Sequence, residues 1–163
     1  MTFIRRIESP SELHRETSKG IILLERQYLS MPEEFPGHKR QGLPDLREKS
    51  IDHYREALTD PDAILYEATD EGKAEGYLYG KVMGEPDDLL APPFLEIFEI
   101  VVDANAGGRG VGTLLLKSAE DYTRDKGIKT VQLAVHEFKQ NALGFYHGHG
   151  FRTLMRKMIE ELR

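Results

Sequence analysis

The sequence predicts an α/β domain of the α+β kind, with a mixed, mostly antiparallel central sheet flanked by helices and a strand–helix–strand crossover in its second half. Three observations lead there. Two strand-like runs, "AILYEAT" and "AEGYLYGKVMG", are joined by the turn signal "DEGK", the pattern of an antiparallel hairpin. A nearly continuous apolar run, "FLEIFEIVVD" at 94–103, is interrupted only by Glu96 and Glu99 and reads as a central strand covered on both faces. That run passes into a glycine-rich loop and then into an apolar helical pattern, as the join of a crossover does.

In chain order, "FIRRIE" at 3–8 reads as a short strand, and Ser9-Pro10 with Glu12 in the first turn marks a helix start. The helical pattern runs to about Met31, with Gly20 as a point of interruption. Three prolines and two glycines over 31–44 then mark a long loop rather than a domain linker. "DLREKSIDHYREAL" reads as a second helix, with Leu46, Ile51, Tyr54 and Leu58 at near-helical spacing. After the hairpin and the loop "EPDDLLAPP" come the apolar strand, the glycine loop and a helix to about Lys126. That helix puts Val111, Leu114, Leu115, Ala119 and Tyr122 on one face and has Gly127 as its stop. "KTVQLAV" reads as a strand, "NALGFYHGHG" as a short helix closed by glycine, and "FRTLMRKMIEEL" as a final strand segment with a polar tail.

Length and charge narrow the function classes. At 163 residues the chain is expected to form one domain, 1–163, with a core that needs no staples. No apolar run is long enough to span a bilayer, and "MTFIRRIESPSEL" lacks a basic-then-apolar signal pattern, so a cytoplasmic protein is expected, with no membrane partner. The absence of cysteine excludes thiolate nucleophiles, disulfides and Cys-ligated zinc. A net charge of −6 argues against a nucleic-acid surface and favours a small cationic partner.

The loop "NAGGRGVGTLLLKSAEDY" at 105–122 is the most informative stretch. Threonine and leucine follow Gly112, so no lysine is placed for a P-loop, and threonine stands where a dinucleotide fingerprint needs its third glycine. What remains is a run of small residues that leaves backbone N–H groups from about Gly108 to Thr113 unobstructed at a helix start. Such donors, with the helix dipole, favour a diphosphate. A plain flexible turn is the other reading that these residues leave open.

"GGRGVGTLLLKSAE" resembles the coenzyme A signature of the GNAT superfamily of N-acetyltransferases, with Gly110 and Gly112 at its two small positions. About thirty residues on, "NALGFYHGHGFR" is similar to the family's second signature, through Asn141, Tyr146, Gly150 and Phe151. The likeness covers roughly residues 75–155 and implies a GNAT-type sheet whose strand–helix–strand half holds acetyl-CoA. It further implies that Gly107, Gly108, Arg109, Gly110, Val111, Gly112 and Thr113 hold the diphosphate. Ile100, Val101 and Val102 would lie along the cofactor arm, with the backbone of Ile100 and Val102 aligning it, and Asn141 would contact the pantetheine. Asn141 could equally be a helix N-cap. One departure stands out: the family carries Arg or Gln where this chain has Gly107, and Arg109 sits two residues on.

Acetyl transfer to an amine needs a base for an ammonium of pKa near ~10.4 and a proton for the departing thiolate. Glu96 and Glu99 are the candidate bases, since a desolvated carboxylate binds protons more tightly. Being three apart, they would point to opposite faces of a regular strand, and the sequence does not choose between them or exclude a structural role. Tyr146 is the candidate acid, a phenol near ~10 beside a thiol near ~8.5; a core tyrosine next to Phe145 is the alternative. His147 and His149 point apart on a helix, so no metal is expected, and His136-Glu137 reads as an exposed loop. Glu33, Glu34, Asp87 and Asp88 could attract a cation from two long loops.

The expected function is therefore acetyl transfer from acetyl-CoA to a primary amine of a small molecule or peptide by direct attack. A non-catalytic acyl-CoA-binding or sensing domain of the same fold is the alternative, and another nucleotide-binding α/β protein a third. A homodimer is an expectation from the resemblance alone.

Overall fold

The computed structural model describes residues 1–9, 12 and 52–162. The helix expected up to Met31, the 31–44 loop with Glu33 and Glu34, and the first part of the second helix lie outside the described residues. Two compact units, Met1–Leu133 and Ala134–Arg163, make up the chain.

The first unit is a five-stranded sheet in the order β1-β2-β3-β4-β5, formed by β1 (Thr2–Ile7), β2 (Ala63–Asp70), β3 (Lys73–Met83), β4 (Phe94–Val102) and β5 (Val131–Leu133). Neighbours from β1 to β4 pair antiparallel, and β4 pairs β5 in parallel. The β2–β3 connection has positive φ at both Glu71 (48°) and Gly72 (75°). Two successive positive φ values are what a two-residue hairpin turn needs to match strand twist, so "DEGK" forms the expected turn.

Two bulges interrupt the ladders. Ala68 pairs with Gly76 and Thr69 with Ala74, which leaves Glu75 as the extra residue on β3. Tyr79 pairs with Glu99 and Gly80 with Ile97, which leaves Phe98 as the extra residue on β4. A bulge re-aims the side chains beyond it, and both of these lie beside the candidate site.

The helix α1, described over residues 52–57, contributes Tyr54 to a buried cluster with Ile7, Ala63, Leu65, Tyr77, Tyr79 and Val101. Helix α2 (Val111–Asp125) packs on the opposite face of the sheet. There a Cβ on Gly76 would lie 3.3 Å from Leu115 Cδ1, and the Arg6 guanidinium stands 4.8 Å from the centre of the Tyr122 ring. The buried stripe of α2 is Val111, Leu115, Leu116, Ala119, Tyr122 and Thr123, whereas Leu114 is 39% exposed. The stripe thus lies on the Leu116 side of the Val111–Leu115–Ala119 line, one side further round than expected. Gly127, at φ 73°, ends the helix: its N–H reaches Arg124 O and that of Ile128 reaches Thr123 O, the paired bonds of a Schellman stop.

The second unit holds α3 (Gln140–Gly148), closed by Gly150 at φ 87°. The strand expected over 151–162 is absent: these residues have no regular secondary structure, and Leu154, Met155, Met158, Ile159 and Leu162 are exposed. Their spacing does not favour a strand. Leu154/Met155 and Met158/Ile159 are adjacent apolar pairs, so a strand here would divide its apolar side chains between both faces instead of gathering them on one.

Candidate active site

The bulge at Phe98 decides where the two glutamates of β4 go. Glu99 lies opposite Tyr79 and Glu96 opposite Lys81. Tyr79 and Lys81 are two apart on β3 and share a face, so Glu96 and Glu99 share that face as well. This corrects the expectation of opposite faces, which holds only for an unbroken ladder. The two acids differ in setting. Burial alone pushes the Glu96 carboxyl upward. Glu99 is more deeply enclosed, and burial again raises it, while the Tyr54 hydrogen bond, nearby His53 and Tyr77 pull the other way.

A tyrosine cluster surrounds Glu99. The Tyr54 hydroxyl donates to Glu99 Oε2 in a short hydrogen bond, and the Tyr77 hydroxyl lies 3.5 Å from the same oxygen. The Tyr54 and Tyr77 hydroxyls are 3.0 Å apart. A hydroxyl has one proton to give; with that of Tyr54 on Glu99, Tyr77 is the donor in this contact. Tyr79 sits edge-on to both Tyr54 (5.6 Å) and His53 (5.7 Å). Burial raises the Tyr54 phenol far above its ordinary value, with Tyr77 and Glu99 adding to it, so Tyr54 stays a donor. Glu99 is thus a carboxylate with raised proton affinity, fixed through one oxygen.

Strand β4 leads directly into the glycine loop. Asp103 Oδ1 accepts from the Asn105 N–H at 2.9 Å, starting a 3-10 turn at Ala104–Ala106. Gly108 and Gly110 then take φ of 76° and 79°, values that favour glycine, and Gly110 is the cap of α2 without a side-chain hydrogen bond. Among the described residues no backbone acceptor meets the N–H groups of Gly108, Gly110, Val111 or Gly112. No acidic residue stands in the first turn of α2, and a Cβ at Gly108 or Gly110 would meet nothing within 4 Å. Open donors at a helix start free of carboxylates fit a diphosphate. The Gly107 backbone, at φ −58°, suits any residue, so no backbone strain demands glycine there.

The Arg109 side chain is held by two carboxylates. Its guanidinium donates to Glu75 Oε1 and Asp70 Oδ2, both at 2.5 Å. Ile100, Val101 and Val102 close β4, and Val101 lies in the buried cluster. Thr113 is in the first turn of α2.

In the second unit, Tyr146 is buried, with Phe145 and Phe151 at 5.3 and 5.6 Å, and burial pushes its phenol up to about 12. Asn141 is exposed at the second position of α3, whose N-cap is Lys139, so the N-cap reading of Asn141 is corrected. His149 Nδ1 lies 2.8 Å from Phe145 O. Among the described residues no group of three or more metal-ligating side chains occurs.

Sequence reasoning missed His53, Tyr54, Tyr77 and Tyr79 as site residues. The one legible signal was "GYLYG", whose two tyrosines at i and i+2 must share a strand face. Tyr54 read as core from its helical spacing, and it is core; its hydroxyl partner lies 45 residues away.

Comparison with known proteins identifies the family. Residues 25–151 match the acetyltransferase (GNAT) family, and the chain belongs to that family. Mycothiol acetyltransferase from Rhodococcus jostii is 31% identical over 119 residues, covering 72% of this chain and 38% of that protein. The chain therefore spans little more than a third of that relative's length. Among solved structures, a tetramutant protein from Bacillus halodurans superposes with a TM-score of 0.83 at 20% identity, covering 98% of this chain and 99% of the other. An aminoglycoside N-acetyltransferase in complex with CoA superposes with a TM-score of 0.71 at 15% identity, covering 100% of this chain and 95% of the other. The fold is that of the family.

Proposed function

We propose that the chain is an N-acetyltransferase that moves an acetyl group from acetyl-CoA to a primary amine of a small molecule or peptide. The observation that carries this reading is Glu99: a carboxylate of raised proton affinity, anchored by Tyr54, on the strand that runs into an anion-ready helix start. The family match spans both compact units, in keeping with one acetyltransferase domain.

When bound, acetyl-CoA supplies an acyl group activated as a thioester. The glycine loop holds the diphosphate through backbone N–H groups of Gly108, Gly110, Val111 and Gly112, and the Ile100 to Val102 backbone orients the arm. Glu99 accepts a proton from the incoming ammonium at its carboxylate, so that a neutral amine attacks; Tyr54 keeps that carboxylate in place. Glu96, on the same face, adds negative charge that draws the cation in. Tyr146 stabilises the departing sulfur. Burial pushes its phenol up to about 12, so Tyr146 stays protonated and donates a hydrogen bond to the developing thiolate.

A cationic acceptor is favoured by the net charge of −6 and by Asp87 and Asp88 in the exposed β3–β4 loop. The name of the CoA-bound neighbour, an aminoglycoside N-acetyltransferase, points to the same class of multiply charged amines.

The reading is tested by thermal shift followed by turnover. CoA and acetyl-CoA are expected to raise Tm, NAD and ATP are not, and a panel of amines is expected to release thiol from acetyl-CoA. No response to CoA would sink the reading, and CoA binding without thiol release on any amine would leave a binding domain. Tyr146→Phe is expected to lower kcat roughly 10- to 100-fold with CoA affinity little changed. Unchanged turnover would remove Tyr146 from the mechanism.

A further inference from the structure

We infer that Arg109 is a positioning residue that clamps the cofactor loop to the β2–β3 hairpin and does not bind phosphate. This rests on the reading of the loop as a CoA site and goes beyond it.

Glu75 is the centre of the clamp. As the extra residue of the β3 bulge, it is freed from the ladder's regular alternation and re-aimed. Its carbonyl accepts the Asp103 N–H at 2.7 Å, holding the start of the loop. Its carboxylate takes the Arg109 Nη1 at 2.5 Å, holding the end. One residue thus ties both ends of the 103–109 segment. The second oxygen, Oε2, accepts from Thr2 Oγ1 at 2.8 Å, so the buried carboxylate is satisfied on both sides.

Asp70, at the mouth of the hairpin turn, takes the other arm of the guanidinium at 2.5 Å. A planar fork meeting two carboxylates at once fixes direction as well as distance. What it fixes is costly to hold otherwise. Gly108 and Gly110, either side of Arg109, adopt left-handed φ, and glycines lose the most backbone freedom on ordering. A loop ordered in advance binds its ligand without that loss. The clamp explains how the loop works with Gly107 in place of a larger side chain: order comes from Arg109, and affinity from the backbone donors it presents.

The two roles for Arg109 predict opposite signs. If Arg109 were a phosphate ligand, neutralising Asp70 would remove one of its two competing carboxylates and a repelling charge, and CoA would bind more tightly. If it is a clamp, the same change loosens the loop and CoA binds more weakly. The test compares wild type, Asp70→Asn and Arg109→Lys, the last keeping the charge while losing the fork.

Amide hydrogen exchange of peptides over 104–113, without ligand, is expected to be roughly tenfold faster in both variants. Calorimetric titration with CoA is expected to show affinity falling by a similar factor. KM for acetyl-CoA should rise accordingly while KM for the amine does not move. Unchanged loop exchange, or tighter CoA binding in Asp70→Asn, would overturn the clamp. Wild type failing to bind CoA would overturn the functional reading instead, and the exchange measurement would still decide the clamp.

Discussion

Glu99→Gln is expected to lower kcat by roughly 10²- to 10⁴-fold while CoA affinity stays close to that of wild type. The amide is close in size to the carboxylate and still accepts the Tyr54 proton through its carbonyl, so packing is kept and only the proton-accepting capacity is lost. The pH dependence has a definite sign. Burial raises the Glu99 carboxyl above its ordinary value, and the proposed role as base needs it ionised, so wild-type kcat/KM is expected to fall as pH drops through that raised value. Gln at position 99 removes this acidic limb along with most of the rate. Stability runs the opposite way. The folded pKa exceeds the unfolded one, so between the two the native state binds the extra proton. Its contribution is fully present below the unfolded value and lost as pH rises through the folded one. Glu99→Gln therefore flattens the loss of stability with rising pH in that window. A variant with wild-type kcat, or with the acidic limb intact, would hand the role of base to Glu96 or to water.

The contrast between Glu99 and its surroundings shows what a sequence can and cannot convey. The glycine loop was legible because its demand is local: φ of 76° and 79° at Gly108 and Gly110 is a backbone requirement that few residues other than glycine meet. The hairpin was legible for the same reason, and so was the Gly127 stop. The common face of Glu96 and Glu99 was hidden, because counting alternation assumes an unbroken ladder and nothing in "FLEIFEIVVD" marks Phe98 as extra. Tyr54 meets Glu99 only through tertiary packing of α1 on the sheet, a relation that periodicity within either element does not contain. Arg109 shows the same limit from the other side. The family resemblance implied a phosphate contact for it, whereas its side-chain partners, Asp70 and Glu75, lie 39 and 34 residues back. The strand expected in the tail is not formed, and the apolar side chains of Leu154, Met155, Met158, Ile159 and Leu162 stay exposed.

Gly80→Ala is expected to destabilise the protein by about 1–2 kcal/mol and to lower kcat roughly tenfold. Gly80 sits opposite Ile97, at the step where the bulge shifts the register. A Cβ there would lie 2.7 Å from Glu96 O and 3.5 Å from Ile97 Cα. The first contact is well inside the ~3.3 Å at which carbon and carbonyl oxygen normally meet across strands. Because the obstacle is backbone, no rotamer relieves it, and β4 must move by about half an ångström. Overpacking of this kind costs roughly 1–3 kcal/mol. The lower entropy of an alanine in the unfolded chain returns about 0.4–1 kcal/mol, so the steric cost wins. The strand that has to move carries Glu96 itself and, three residues on, Glu99. Displacing a catalytic group by 1 Å can cost about 10²-fold in rate, and half that shift supports the smaller factor given. Urea unfolding and the thiol-release assay read the two effects separately. Gly144→Ala in α3, where a Cβ would meet nothing within 4 Å, provides the comparison: in a helix the same substitution is expected to stabilise by roughly 0.5–1 kcal/mol. Should Gly80→Ala leave both the unfolding midpoint and the rate unchanged, the missing side chain is not what holds β4 in its bulged register. The shared face of Glu96 and Glu99 would then have to be fixed by Phe98 and its packing against Tyr79 at 5.5 Å.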